Sequence, residues 1–247
     1  MNLLVCIDDT DNLESRGTGE LASMLALQLE EQGWGSSSYV TRHQLLVHPD
    51  IPYTSHNSAM CFAASLNENC PVEQFIDYAG RFLLQESAPE SDPGLCVMIP
   101  ADLGDESALL AFGRAAKKQV LTKNEAYTLA RQTDIHLSEH GGTGQGVIGA
   151  LAGVGLRLGG NDGRLKGQLR FGMPAERIKI SALRAHPLVD CVRTLDGLTP
   201  SDGEEVVLGE KIKTVLLEGQ SVLLLEAVRE QGGMVWRTCS RQQLKNY

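Results

Sequence analysis

The chain has 247 residues, 42% of them apolar and 21% charged, with a formal net charge of −9 at neutral pH. That length and balance suit a globular protein of one or two domains and exclude a disordered or fibrous chain. No stretch approaches the roughly 20 apolar residues of a membrane span, and no basic-then-apolar leader opens the sequence, so the expected location is the cytoplasm. The acidic balance argues against a surface that binds nucleic acid all over but leaves room for a local basic groove.

Leu3 to Ile7 is an apolar run that predicts a buried strand, and Asp8-Asp9-Thr10-Asp11 follows it directly. Residues 18–32 predict a helix, apolar at helical spacing from Leu21 and stopped by Gly33 and Gly35. Three aspartates in four residues therefore stand at a strand end just ahead of a helix, where ligands usually bind in open α/β sheets. Close carboxylates repel one another and persist where they cap turns, stay solvated or share a cation. Continued strand alternation would put Asp9 and Asp11 on one side, suited to a metal, and leave Asp8 to cap the backbone. An Asx-rich turn with Thr18 as an ordinary N-cap accounts for the same residues, and the local pattern does not choose between the two.

Residues 38–47 predict a strand, 48–53 a proline-broken loop and 59–64 a second apolar strand. Residues 71–86 predict a helix that starts on Pro71 and carries Val72, Phe75, Ile76, Ala79 and Phe82 on one face. A strand at 95–99 and helices at 106–120 and 123–132 follow. The order β-α-β-β-α-β-α is α+β: a ferredoxin-like β-α-β-β-α-β pattern plus one helix.

Glu139 to Gly146 holds four glycines in six residues and opens a small-residue helix. Glycines let a backbone approach a ligand closely, and a helix N-terminus offers free N–H groups, so Gly144, Gln145 and Gly146 are candidate phosphate contacts. The spacing is not that of a phosphate-binding loop ending in lysine, and a hinge or tight helix packing uses glycine equally well. A turn at 159–163 precedes strands expected at 165–171, 178–182 and 188–193. Beyond 199–203, short strands at 206–208, 212–217, 221–227 and 234–238 form a β-rich module, a small barrel or a meander. The expected domains are 1–134 and 135–247. Six scattered cysteines form no C-x₂-C pair, which predicts buried thiols and no zinc ribbon. His136 and His140 stand four apart but run into glycines, which predicts a surface or loop role.

The segment Ile7-Asp8-Asp9-Thr10-Asp11, with Thr18 seven residues on, resembles the N-terminus of the archaeal tRNA-isoleucine agmatidine synthetases. His48-Pro49-Asp50-Ile51-Pro52-Tyr53 resembles that family's Asn-Pro-Asn-Ile-Pro-Trp segment, although Thr54 and His56 stand where the family usually has Lys and Arg. Gly144-Gln145-Gly146-Val147-Ile148-Gly149-Ala150-Leu151-Ala152 resembles its glycine-rich segment. Three matches in order multiply improbabilities. The resemblance implies an ATP-dependent enzyme that activates a tRNA cytidine by phosphoryl transfer and replaces its 2-oxo group with agmatine. It implies that Asp8, Asp9 and Asp11 hold Mg²⁺ against ATP and that Thr18 is phosphorylated. Thr10, Arg16 and Gly17 join the glycine loop as nucleotide contacts. That family carries an OB-fold and a zinc ribbon, whereas this chain has no zinc-ribbon cysteines and at most a shortened β module, so a smaller amine or nucleoside acceptor stands beside tRNA as an expected partner. A non-catalytic nucleotide- or RNA-binding module would keep the same fold; loss of an aspartate would favour it, and all three are present.

Overall fold

In a computed structural model, residues 1–51, 56–230 and 233–247 are described. They form two compact units, Met1–Gly159 and Gly160–Tyr247. The first unit runs β1 (Asn2–Asp8), α1 (Thr18–Glu31), β2 (Gly35–Ser37), β3 (Thr41–Gln44), β4 (Ser58–Leu66), α2 (Val72–Glu86), β5 (Gly94–Met98), α3 (Ser107–Ala115), α4 (Lys123–Gln132), β6 (His136–Glu139) and α5 (Gly146–Leu158). Its sheet has the order β6-β5-β1-β4-β3, with β2 also on β4 and every pairing antiparallel.

β1 is central and alternates between two cores. Leu3, Val5 and Ile7 pack with Leu21, Leu25 and Leu29 of α1 and Phe75, Phe82 and Leu83 of α2. Leu4 and Cys6 face the other way, with Leu109 of α3, Leu129 of α4 and Leu151 of α5. Both faces of the strand are covered, which explains its uninterrupted apolar run. α1 ends on Gly33 at φ +68°, with Gly33 N donating to Glu30 O and Trp34 N to Leu29 O. That reciprocal pair closes the last turn and needs a left-handed residue, for which glycine carries no penalty.

α5 lies flat on the sheet because its facing residues are small. A Cβ on Gly153 would stand 2.4 Å from Cys6 Sγ, and one on Gly155 would stand 2.4 Å from Leu109 O of α3. The domain boundary expected at 134 falls inside this unit. β6 and α5 continue its sheet and its second core, so the division comes after Gly159. Of the strand expected at 38–47 only Thr41–Gln44, β3, is one; β2 lies just before it. The helix expected to reach 120 stops at Ala115.

The second unit runs β7 (Arg164–Leu165), β8 (Arg177–Lys179), α6 (Ile180–Arg184), β9 (Cys191–Thr194), β10 (Glu205–Val207), β11 (Thr214–Leu217), β12 (Gln220–Glu230) and β13 (Gly233–Thr238). Its strands are ordered β7-β11-β12-β13-β10-β8, and β9 pairs with β12 in parallel. β10 and β13 are also parallel, so it is not a simple meander. The strand expected at 178–182 ends at Lys179. Ile180 and Leu183 are both buried at a helical spacing, and the chain turns into α6. No helix among the described residues is long and apolar enough to cross a membrane.

Candidate active site

The first unit holds a cavity of about 330 Å³ at the C-terminal end of β1. β1 delivers Asp8 on the face turned toward α5, because Leu4, Cys6 and Asp8 alternate with Leu3, Val5 and Ile7. Alternation stops there. Asp9 has φ +54°, so the pairing of Asp9 with Asp11 by strand geometry does not hold. Asp8 lines the cavity as well as accepting from the Asp9 N–H: a Cβ on Gly149 of α5 would lie 1.7 Å from its Oδ2. Asp9, Asp11 and Thr18 complete that wall.

Thr18 is the first residue of α1, with Gly17 as the cap. Its hydroxyl donates to Asp11 Oδ1 at 2.8 Å and accepts from Thr10 N at 3.4 Å. Gly17 sits beside Asp11, 3.8 Å from Asp11 Oδ2 to where its Cβ would be. Thr10 is fully buried under the loop. Its backbone oxygen accepts from Ala88 N at 2.9 Å, and its hydroxyl has no hydrogen-bond partner among the described residues.

Burial, reinforced by Asp9 and Asp11, pushes the Asp8 carboxyl well above the ordinary carboxylate range, against the pull of the Asp9 N–H. Asp9 is raised to about 6 by burial first, then by Asp92 and Asp11. A nearby cation would favour the charged form of both carboxylates. The opposite wall adds Asp50, His56, Asn57 and Gln119, and among the described lining residues there is no Lys or Arg. Among the described residues no three acidic, histidine or cysteine side chains converge on one metal position. The donor set still fits Mg²⁺, a hard ion that typically takes one or two carboxylates and completes its shell with substrate phosphates and water.

Gln145 and Gly146 line the cavity, whereas Gly144 and Arg16 do not. Arg16 forms an ion pair with Glu86 of α2. Gly144, at φ +73°, packs on Glu139, which holds Lys123 at 2.6 Å. The loop amides are largely engaged already. Thr143 N donates to the Asp92 carboxylate, Gly146 N to Asp92 O at 3.0 Å and Ile148 N to Gln145 O at 3.1 Å. The glycines answer to packing: a Cβ on Gly146 would stand 2.2 Å from Asp92 O. The loop makes a close helix–strand contact, and its Gln145 and Gly146 still face the cavity.

Asp50, His56, Asn57, Gln119 and Gly149 carry no expected site role from sequence. Asp50 lies in the proline-rich segment, His56 and Asn57 just beyond it and Gly149 in the glycine-rich one, so resemblance carried a signal there; Gln119 had none. Pro52 to Ser55 of that segment lie outside the described residues. His136 and His140 each hydrogen-bond Ser138 Oγ, at 2.9 and 2.8 Å, along the short strand β6. All six cysteines are free and five are buried.

No family model matches the chain. It is 26% identical over 257 aligned positions to the isoleucine-tRNA 2-agmatinylcytidine synthetase TiaS of Methanosarcina mazei, covering 96% of this chain and 58% of that protein. The Methanosarcina acetivorans enzyme of the same name is 30% identical over 161 positions, covering 63% of this chain and 36% of that protein. The chain thus spans between about a third and three-fifths of these relatives' lengths. In fold it matches the crystal structure of a complex of TiaS with its isoleucine tRNA and ATP, with a TM-score of 0.58, at 24% identity, over 82% of this chain and 50% of that one. By sequence, the chain is homologous to the isoleucine-tRNA agmatidine synthetases.

Proposed function

We propose that the chain is an ATP-dependent enzyme of the ligase or phosphoryl-transfer type, acting on a tRNA cytidine or on a smaller amine or nucleoside acceptor. The first unit is read as a ferredoxin-like ATP module, its strand order supporting that pattern. The observation that carries the proposal is the cavity wall of Asp8, Asp9, Asp11 and Thr18, at the residues where the resemblance to the synthetases begins. A lining rich in carboxylates and without Lys or Arg repels a triphosphate by itself, so nucleotide binding there requires a divalent cation. Asp9 and Asp11 are the residues to hold Mg²⁺, with Asp8 behind them; when bound, the ion neutralises phosphate charge. Thr18 is an alcohol at a helix start with its proton directed at a carboxylate, the arrangement of a nucleophile beside its base. Gln145 reaches the same cavity as a neutral polar contact.

The test is the melting temperature with Mg²⁺ and ATP together, ATP alone, Mg²⁺ alone and ATP with EDTA. A ligand at about 100 times its Kd stabilises by roughly 2.7 kcal/mol, a rise of about 5–10 °C for a chain this size. That rise is expected only with Mg²⁺ and ATP together. An equal rise with ATP and EDTA, or no rise in any arm, overturns the assignment. Binding without ATP consumption, in the presence of tRNA and amine, would instead identify a non-catalytic module.

A further inference from the structure

Between α2 and β5 the chain crosses from the aspartate loop to the glycine loop. Ala88 N donates to Thr10 O at 2.9 Å, which ties the crossing to the first of these. A turn follows, in which Ser91 N and Ser91 Oγ both donate to Ala88 O, at 3.2 and 2.7 Å. Asp92 then meets the glycine loop. Its carboxylate accepts from Thr143 N and, at 2.6 Å, from Thr143 Oγ1. Its backbone oxygen accepts from Gly146 N at 3.0 Å, and Pro93 O accepts from His140 N at 2.8 Å. Residues 140–146 thus close around one side chain. Gly142, at φ +55°, permits this: a Cβ there would stand 1.9 Å from Asp92 Oδ1.

Gln145 lies inside the span that Asp92 holds. Thr143 is bound two residues before it and Gly146 one residue after it, and Gln145 lines the cavity. Gln145 is itself exposed, so its backbone decides where its amide points. Bonds from an N–H and an O–H to a carboxylate are charge-assisted, stronger than neutral ones, and two on one side chain fix direction as well as distance.

We infer that Asp92 is a positioning residue for this cavity: it holds the glycine loop in the one arrangement that brings Gln145 to the ligand, and through Ala88 it keeps that loop in register with the aspartates. The inference rests on the reading of the cavity as an ATP site. The charge of Asp92 also acts on Asp9, so a test has to separate the clamp from the charge.

The experiment is steady-state Mg²⁺-dependent ATP consumption by the full chain with tRNA and amine present, together with the amide NMR shift of Thr143 in the nucleotide-free protein, which reads the clamp alone. Asp92→Ala should lower kcat/KM for ATP by about 10–100-fold. Asp92→Asn loses the charge but still offers Thr143 N an acceptor, and its amide can donate to Thr143 Oγ1, so it should recover to within about threefold of wild type. Thr143→Val, which alters no charge, should fall between them at about 3–10-fold down, and Thr143→Ser should restore the rate. Because Asp92 acts through Gln145, Asp92→Ala should cost no more than about threefold further in a Gln145→Ala background. The Thr143 amide proton should move upfield in Asp92→Ala and stay in place in Asp92→Asn. Asp92→Asn as impaired as Asp92→Ala overturns the inference, because charge on Asp9 would then be the cause. So does full additivity with Gln145→Ala, or a Thr143 amide that Asp92→Ala leaves unmoved. A wild type that neither binds nor consumes ATP overturns the cavity reading and the positioning role with it, whereas an active wild type matched by Asp92→Ala in kcat/KM overturns the positioning role alone.

Discussion

Gly149→Ala probes the contact between α5 and the Asp8 carboxylate. The new methyl would arrive 1.7 Å from Asp8 Oδ2 and 3.1 Å from Leu45 Cδ1. Leu45 yields a few tenths of an ångström at the end of a flexible side chain, but the carboxylate must retreat by roughly 1.5–2 Å to reach ordinary contact. Alanine is favoured over glycine inside a helix by about 1 kcal/mol. Overpacking opposes this with roughly 1–3 kcal/mol. The net change is a destabilisation of about 0–2 kcal/mol, or up to about 8 °C in melting temperature. In an Asp8→Ala background the obstacle is gone and only the helix preference remains. The same Gly149→Ala change should then stabilise, by about 2–4 °C. Thermal or urea unfolding of the four proteins gives the coupling directly, expected at about 1–3 kcal/mol. If Gly149→Ala has the same effect in both backgrounds, the contact is not there and Asp8 does not stand between β1 and α5.

Three further outcomes are expected. Asp9 is raised in the folded state, so its contribution to stability is fully present below the unfolded value near 4 and is lost as pH rises through about 6. The stability advantage of Asp9→Asn over wild type, without metal, should therefore grow from pH 4 to pH 7 by roughly 1–2 kcal/mol after solvent screening, and Mg²⁺ should shrink it; a difference independent of pH in urea unfolding refutes the buried-carboxylate account. Asp9→Asn and Asp11→Asn should each reduce Mg²⁺-dependent ATP consumption by at least about 100-fold with the fold intact by circular dichroism; wild-type turnover in both removes them from the metal site. Incubation with γ-labelled ATP and Mg²⁺ should label Thr18, and the label should vanish in Thr18→Val and Asp11→Asn. Peptide mapping that finds phosphate elsewhere, or none while ATP is consumed, reduces Thr18 to a structural contact.

The sequence was most legible where one physical cause dominated. β1 was clear because a strand covered on both faces has no polar alternation, and α1 because its leucines and Gly33 marked one face and one end. The aspartate cluster was found by its charge density alone. Its geometry was not, because the left-handed backbone at Asp9 breaks the alternation used to orient the side chains. The packing of the glycine loop was hidden for a related reason. Gly144 and Gly146 look alike in sequence whether a phosphate or a strand lies against them, and here Asp92 and Glu139 fill that space. Arg16 was assigned to the nucleotide, whereas its carboxylate partner Glu86 is seventy residues away in sequence. β6 was hidden by its four-residue length and the glycines that follow it.

The position of the aspartates also sets how they exchange amide hydrogens. β1 is hydrogen-bonded on both edges and enclosed by two cores, so Val5 and Ile7 belong with the amides that open only when the whole unit unfolds. A few residues later, Asn12 to Ser15 are exposed and tied by local turns. Protection therefore falls from near its maximum to near zero across the span that carries the carboxylates. A ligand gathering Asp9 and Asp11 should slow exchange at residues 12–17 while leaving residues 3–7 unchanged, which makes deuterium uptake along this one peptide a residue-level record of occupancy.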